Sequence, residues 1–129
     1  MRTEARKKNL GEVFTPRELV NEILDKLSES VWIDSSRTFL DNSCGNGNFL
    51  VEVLKRKLQY GHHNPSQALS TIYGVDIMKD NIEECRERLL HIANVHYKSR
   101  YEFTKRRNEK IINRNIVCAD ALTYDYSFK

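Results

Sequence analysis

The segment TFLDNSCGNGNFLVEVLKRKL, residues 38–58, decides the fold. A short apolar run enters a polar segment with two glycines, and apolar residues at helical spacing follow at once. Gly45 and Gly47 let the backbone turn sharply and approach a ligand closely because they lack a Cβ atom. The pattern therefore predicts a strand, a tight loop and a helix. The predicted bounds are Thr38–Leu40 for the strand, Asp41–Asn48 for the loop and Phe49–Leu58 for the helix.

Two further strands are predicted along the chain. Thr71–Ile77 is an apolar run that contains Asp76 near its end, and Asn115–Ala119 is a second such run, followed by Asp120. Between them, Asn81–Ala93 has the apolar spacing of a helix, with an inner face of Ile82, Cys85, Leu89 and Ala93. Strands that alternate with helices imply a parallel sheet with right-handed crossovers, so the chain belongs to the α/β class.

The N-terminal part predicts a helix over Pro16–Ser28. Thr15 and Glu18 have the spacing of a capping box, with Pro16 at the first helical position, and Phe14 and Leu19 stand at the two ends of a hydrophobic staple. One apolar stripe is predicted along this helix, formed by Leu19, Val20, Ile23, Leu24 and Leu27.

Two stretches have weaker patterns. Gly61–Pro65 predicts a loop, and Gln67–Ser70 a turn that continues it. Between His96 and Arg114 the chain carries seven Lys and Arg and two Glu, a local excess of +5 that fits either a helical hairpin or an ordered insertion. This basic stretch could contact nucleic-acid phosphates, although a charge run more often faces solvent.

Composition limits the class of protein. The chain has 129 residues, 40% hydrophobic and 30% charged, which is typical of one soluble globular domain. Its net charge of +3 is too small to indicate a nucleic-acid partner by itself. The three cysteines are far apart and odd in number, which excludes a disulfide framework and a cysteine-based zinc site, and the histidines lack metal-ligand spacing. Without a signal peptide or an apolar span, a cytoplasmic location is expected.

The predicted loops converge at the carboxyl ends of the strands, where open parallel sheets bind ligands. No Lys or Arg lies between Thr38 and Phe49, so the phosphate-loop pattern is absent, and the carboxylate of an amino-acid-like ligand fits the helix start better. Asp41 and its neighbours could meet the accompanying ammonium group. Asp76 is placed to accept from ribose hydroxyls and Asp120 from the amine of a purine. Together these three features describe S-adenosylmethionine.

The same residues carry a family resemblance. Phe14-Thr-Pro16, Asp41-Asn-Ser-Cys-Gly-Asn-Gly-Asn-Phe-Leu50, Gly74-Val-Asp76 and Asp120-Ala-Leu122 resemble successive motifs of the N6-adenine DNA methyltransferases. The resemblance implies a Rossmann-like S-adenosylmethionine-binding fold, a parallel three-layer α/β sandwich truncated to about three strands. It also implies one partial cofactor-binding domain over 1–129, with the N-terminal motif and helix in 1–30 and a βαβαβ core in 37–129.

The resemblance assigns a cofactor role to particular residues. Phe14, Thr15 and Pro16 would flank the methionine part, the Asp41–Gly47 loop would cradle it, Asp76 would hold the ribose and Asp120 the adenine. The full set of expected cofactor-binding residues is Phe14, Thr15, Pro16, Asp41, Asn42, Ser43, Cys44, Gly45, Asn48, Phe49, Asp76, Ile77, Asp120 and Ala121. We expect no metal ligand among them.

One motif of that family is absent. The catalytic Asn/Asp-Pro-Pro-Tyr/Phe motif has no counterpart, because the only prolines are Pro16 and Pro65. We therefore expect no catalytic residue here and no methyl transfer by this chain alone. The leading hypothesis is the S-adenosylmethionine-binding part of an adenine-specific methyltransferase. A non-catalytic regulatory protein that binds the same ligand or a partner chain is the rival, and a nicotinamide-dinucleotide domain is opposed by Leu50, where that fingerprint has a small residue.

The family topology also predicts an exposed sheet edge. The strand at Phe39 would be central, yet the strand that should flank it on one side is missing, and an unpaired apolar edge tends to pair with other chains. We expect this edge to be covered by a homodimer, a partner chain, the basic insertion or the N-terminal helix. DNA contact is expected through missing segments or through the basic stretch 98–114, and no membrane contact is expected.

Overall fold

Three parallel strands form the sheet of the protein. The computed structural model of the chain describes residues 14–60, 64–97 and 102–129. In chain order the described elements are α1 (Arg17–Leu24), α2 (Glu29–Ile33), β1 (Phe39–Asp41), α3 (Asn48–Gln59), α4 (Pro65–Leu69), β2 (Ile72–Asp76), α5 (Lys79–Tyr97), α6 (Glu102–Asn115) and β3 (Ile116–Cys118). The strand order is β1-β2-β3 and both pairings are parallel. The predicted α/β fold with three parallel strands is confirmed.

The register brings the carboxyl ends of the strands to one edge of the sheet. Asp41 pairs with Gly74, and Asp76 pairs with Cys118. Backbone hydrogen bonds continue this pairing beyond the strands, from Cys44 N–H to the Val75 carbonyl (3.0 Å) and from Ala119 N–H to the Asp76 carbonyl (2.9 Å). The segments that follow all three strands therefore start side by side.

Close packing holds α3 and α5 against the sheet. A Cβ atom added at Gly74 would lie 2.7 Å from Leu50 Cδ1, so the missing side chain in β2 gives room for a leucine of α3. The inner face predicted for α5 is confirmed, because Ile82, Cys85, Leu89 and Ala93 are all buried. The helix is longer than predicted at both ends, since it runs from Lys79 to Tyr97.

The N-terminal helix differs from the prediction. Pro16 is the N-cap, and α1 ends at Leu24 rather than Ser28. No side-chain hydrogen bond caps the helix, so the predicted capping box is wrong. The predicted apolar stripe is only partly buried: Val20 and Leu24 are in the core, whereas Leu19, Ile23 and Leu27 are exposed.

The physical reason lies in the contacts of the two residues before α1. The carbonyl of Thr15 accepts a hydrogen bond from Asn48 Nδ2 (2.8 Å), which fixes Thr15 to α3. The Phe14 ring lies beside Gly45, within 3.2 Å of the place a Cβ would take there, and Leu19 is 45% exposed. The predicted staple between Phe14 and Leu19 stays a prediction.

The stretch before β2 contains a helix where a loop and a turn were predicted. Asn64 caps α4, because its side chain accepts a hydrogen bond from Gln67 N–H (2.8 Å). Pro65 occupies the first turn of α4, where a backbone N–H would have no partner within the helix, so the N–H that proline lacks is not needed. Residues 61–63 of the predicted loop lie outside the described residues. No helix within the described ranges is long and apolar enough to cross a membrane.

Helix α6 accounts for most of the basic stretch. It follows α5, as in the helical-hairpin alternative, and residues 98–101 between them lie outside the described part. Buried amides and a hydroxyl tie the helices together: Ser66 donates to Asn108 Oδ1 (2.6 Å), and Asn108 Nδ2 donates to Asn94 Oδ1 (3.1 Å). The basic residues Lys105, Arg106, Lys110 and Arg114 are exposed.

Strand β1 has one neighbour, β2, among the described residues. Its other edge borders an apolar groove of about 240 Å³ lined by Leu24, Phe39, Leu40, Asp41, Phe49, Leu50 and Val53. Leu24 belongs to the N-terminal helix, so that helix forms one wall of the groove without pairing with the strand. Leu40 remains 53% exposed. On one face of the sheet, the ring of Tyr73 in β2 packs against the ring of Phe128, with 4.7 Å between the two ring centroids.

Candidate functional site

A single hydrogen bond joins the glycine loop to the end of β2. Gly45 N–H donates to Asp76 Oδ1 at 3.2 Å, across 31 residues of sequence. Gly45 has φ +53° and Gly47 φ +94°, values that glycine adopts without strain. The loop therefore doubles back over the strand end, as its two glycines predicted.

The carboxylate of Asp76 organises the start of α5 as well. Its Oδ2 atom accepts from Met78 N–H (3.1 Å) and from Asn81 Nδ2 (3.1 Å). Asp76 is only half-buried, whereas Asn81 is fully buried. This one side chain fixes the relative positions of the loop, the strand end and the helix.

The N-terminal motif lies against the same loop. Phe14 contacts Gly45, and Asn48 holds the carbonyl of Thr15. Asn48 is fixed in turn by Arg88 of α5, whose Nη1 donates to Asn48 Oδ1 (2.8 Å). The structure therefore brings Phe14 and Thr15 to the glycine loop, and Pro16 follows them, exposed, as the N-cap of α1.

Asp41, at the end of β1, lies in surroundings that disfavour its ionised form. Burial raises the pKa of Asp41 above its ordinary value, and the negative charge of Asp76 raises it further, while the hydrogen bond from Ser43 N–H (3.0 Å) acts in the opposite direction. The side chains of Asn42 and Ser43 are exposed at the rim of the loop. A cation that bound between Asp41 and Asp76 would relieve the repulsion between the two carboxylates.

Cys44 and Phe49 belong mainly to the core. The hydrogen bond with the Cys85 thiol, together with burial, raises the pKa of the Cys44 thiol, so the reactive thiolate is disfavoured. The backbone N–H of Cys44 already donates to the Val75 carbonyl, so neither the thiol nor the N–H of Cys44 is left for a ligand. Phe49 is half-buried against the core and lines the groove at β1.

Three predicted residues lie just beyond β2 and β3. Ile77 follows Asp76 and is 62% exposed beside the strand end. Asp120 follows Ala119, which is hydrogen-bonded to Asp76, and its Oδ1 accepts from Leu122 N–H (2.9 Å) in a local turn. Ala121 lies within that turn, and its carbonyl accepts from the Tyr126 hydroxyl (2.7 Å). Asp120 thus uses Oδ1 to close a local turn, two residues after Cys118, the strand partner of Asp76.

Comparison with known proteins gives the family. The model of the N-6 DNA methylases matches residues 1–120. The chain is a member of the N-6 DNA methylase family. Type II methyltransferase M.VspI from Vibrio sp. (strain 343) is 33% identical to it over 93 residues, 72% of this chain and 20% of that protein. The chain thus spans about a fifth of the length of this curated relative. No solved structure matches it.

Two residues that fix the site, Arg88 and Asn81, were not identified from the sequence. Arg88 binds the loop through the carbonyl of Asn46 (2.9 Å) and the side chain of Asn48, from 40 residues or more along the chain. No local sequence pattern predicts a contact between residues so far apart in the chain. Asn81 gave a weak signal, since an amide five residues after a strand-end acid can reach back to it across the helix start.

The basic helix lies away from the loop. Arg114 is next to Asn115, which enters the amino end of β3, whereas the glycine loop lies at the carboxyl ends of the strands. Within the described ranges no group of three or more His, Cys, Asp or Glu side chains could hold a metal ion.

Proposed function

We propose that the chain binds S-adenosylmethionine as the cofactor-binding part of an adenine-specific N6 DNA methyltransferase. The observation that carries the proposal is the contact between Gly45 and Asp76, because it joins the glycine loop to the strand-end acid. Membership of the N-6 DNA methylase family supports the same ligand.

In this proposal Asp76 accepts from the ribose. A carboxylate offers about four lone-pair sites, and three donors from the protein already use Asp76. A ribose hydroxyl would take the remaining site. Ile77, exposed beside it, would offer an apolar surface to the adenine ring.

The other groups of the ligand meet complementary chemistry. Phe14 over Gly45 would pack on the methionine part, and the carboxylate pair of Asp41 and Asp76 favours the positive charges of the ammonium and sulfonium groups. Asp120 keeps Oδ2 without a hydrogen bond from a described residue, so that oxygen is the one that would accept from the adenine amine.

The packing of α3 argues against a nicotinamide dinucleotide. In the dinucleotide fingerprint a small residue on the helix permits close helix–strand packing. Here the small residue is on the strand, at Gly74, and the helix supplies the buried Leu50. The close approach is therefore achieved with the opposite arrangement of side chains.

A second candidate function has one observation in its favour. The sequence contains no Pro-Pro pair, so the acceptors that would hold an extruded adenine are not supplied by these residues. A non-catalytic protein that binds S-adenosylmethionine or a partner chain would have the same site. DNA binding, in either case, is assigned more readily to segments of a longer protein than to α6, whose last residues lie at the opposite end of the sheet from the loop.

Isothermal titration calorimetry of the purified chain tests the proposal. We expect saturable heat with S-adenosylmethionine and none with NAD. The variant Asp76→Asn should bind about tenfold or more weakly, because a hydroxyl loses a charged acceptor whose hydrogen bond contributes about 1.5–3 kcal/mol. Asp125→Asn, at an exposed tail acid, is the matched control and should bind as the parent chain does. Heat with NAD alone, or no heat with either ligand, would refute the proposal.

A further inference from the structure

Arg88 of α5 determines how the amide of Asn48 is oriented. Its Nη1 atom donates to Asn48 Oδ1 (2.8 Å) and to the carbonyl of Asn46 (2.9 Å) in the glycine loop. Because a guanidinium group can only donate, the amide oxygen of Asn48 faces it and the amide nitrogen faces away. A charged donor also makes a stronger hydrogen bond than a neutral one, so this orientation is firmly held.

The nitrogen of that amide holds the N-terminal motif. Asn48 Nδ2 donates to the carbonyl of Thr15 (2.8 Å), and the ring of the preceding Phe14 lies beside Gly45, within 3.2 Å of the place a Cβ would take there. We call the contacts from Arg88 through Asn48 to Thr15 the relay. The relay spans 40 and then 33 residues of sequence, so the placement of Phe14 beside the loop depends on an arginine of a distant helix.

Helix α1 is anchored without the relay. Asn21 Nδ2 donates to the buried carboxylate of Glu52 (2.9 Å), and Arg56 Nη2 donates to the carbonyl of Asn21 (3.0 Å). Loss of the relay should therefore release Phe14 and Thr15 and leave α1 packed against α3.

We propose that Arg88 is a positioning residue for the methionine half of S-adenosylmethionine and acts through Asn48 rather than by contact with the ligand. The inference rests on the proposed function, in which Phe14 packs on that half of the ligand. With the relay intact, Phe14 and Thr15 are in place before the ligand arrives. Without the relay, these two residues must be ordered during binding, and that ordering costs affinity.

The nucleoside half of the ligand should not depend on the relay in this way. The carboxylate of Asp76 is held locally by Met78 N–H (3.1 Å) and Asn81 Nδ2 (3.1 Å), and Asp120 accepts from Leu122 N–H in a turn of its own. The relay therefore favours ligands that carry the amino-acid part over nucleosides that lack it.

Calorimetry with two ligands tests this selectivity. The ligands are S-adenosylmethionine and 5′-methylthioadenosine, which has the same nucleoside but no amino-acid part. Arg88→Met, which removes the donors and keeps an unbranched side chain, should bind S-adenosylmethionine about tenfold more weakly, the cost of ordering two side chains, and 5′-methylthioadenosine as the parent chain does. Arg86→Met is the matched control, because Arg86 is also a half-buried arginine of α5 but donates to the Ile116 carbonyl (2.6 and 2.9 Å). It should leave the ratio of the two affinities unchanged.

A second variant interrupts the relay at its centre. Asn48→Ala should shift the ratio of the two affinities in the same direction, and it carries the test alone if Arg88→Met does not fold. The double variant should lose no more affinity for S-adenosylmethionine than the single variant with the larger loss, because both changes break one relay. An equal loss for both ligands, an unchanged ratio or additive losses would overturn the inference, while binding by the parent chain would still support the proposed function. If the parent chain binds neither ligand, the proposed function itself fails.

Discussion

At the scale of single residues, the two strand-end acids are held in opposite ways. Asp76 is compensated by three hydrogen-bond donors from the protein. Asp41 has one donor, Ser43 N–H, and its charge is disfavoured by burial and by Asp76. The unliganded protein therefore bears an electrostatic cost at Asp41 that a bound cation would remove. The unliganded fold is therefore less stable at Asp41 than it could be, and ligand binding there would restore that stability.

The variant Asp41→Asn should stabilise the unliganded chain at neutral pH. Because the folded-state pKa of Asp41 is raised, the unfolded state releases its proton first, so stability falls as the pH rises from the ordinary value of 3.8 through the folded-state pKa. Asparagine has no such titration. Its advantage should be full at neutral pH, shrink on acidification and vanish below the ordinary pKa, as measured by thermal unfolding across that range.

Asp34→Asn is the matched control of opposite sign. Hydrogen bonds from the side chain and backbone of Ser36 lower the pKa of Asp34, so this carboxylate contributes stability above its ordinary pKa that is lost on acidification. Its replacement should lower the melting temperature slightly at neutral pH or leave it unchanged. An equal gain from both substitutions would show that the effect at Asp41 is not electrostatic.

At the scale of elements, the contact between α3 and β2 positions the loop that precedes α3. Gly74 leaves room for Leu50 and for Cys44, whose Sγ lies 3.0 Å from the place a Cβ would take. Both neighbours are buried. Because Gly74 has no side chain, α3 packs close to the sheet, and this close packing fixes the position of the glycine loop that precedes α3.

A double-mutant cycle tests this contact. Gly74→Ala should cost about 1–3 kcal/mol in unfolding free energy, because an added methyl group overpacks a full core. Leu50→Ala should cost about 2–5 kcal/mol through the cavity that it leaves. The double variant should lose clearly less than the sum, since each change makes room for the other. Additive losses in denaturant unfolding would rule out a direct steric contact.

The sequence predicted the elements wherever the apolar pattern was local. The strand–loop–helix unit around Gly45 and the inner face of α5 both followed from spacing, because their partners are set by the period of the element itself. The same reasoning failed at Thr15, where a contact with Asn48 across 33 residues outweighed a local capping signal. Local spacing did not decide between a helical hairpin and an ordered insertion for the stretch that forms α6. The reason is that α6 is held by the buried hydrogen bond between Asn108 and Ser66, which are 42 residues apart in the chain.

At the scale of the whole molecule, the described sheet has two edge strands, β1 and β3. Strand β1 pairs only with β2 within the described ranges, and the groove beside it is apolar. Neither α6 nor the N-terminal helix pairs with this edge, although Leu24 of that helix lines the groove. Of the covers expected from the sequence, a second copy or a partner chain therefore stays a prediction.

We expect the isolated chain to self-associate through β1. Sedimentation velocity should reveal a dimer or larger species as the concentration rises. Leu40→Lys, which places a charge on the edge strand, should shift the population to monomer. Val95→Lys on α5 is the control, because Val95 is exposed to a similar degree (59% against 53%) and lies away from the edge. A parent chain that remains monomeric throughout would contradict the prediction.

The most direct test of the account is a nuclear magnetic resonance titration of the ¹⁵N-labelled chain with S-adenosylmethionine. The account predicts saturable shifts of the backbone amide signals of Gly45, Gly47, Ile77 and Asp120, with the amides of α6 unaffected. The amide signal of Gly45 should respond strongly, because its hydrogen-bond acceptor is the carboxylate that would also hold the ribose. Shifts confined to other surfaces, or none at millimolar ligand, would contradict the central claim that the glycine loop and the strand-end acids form one cofactor site.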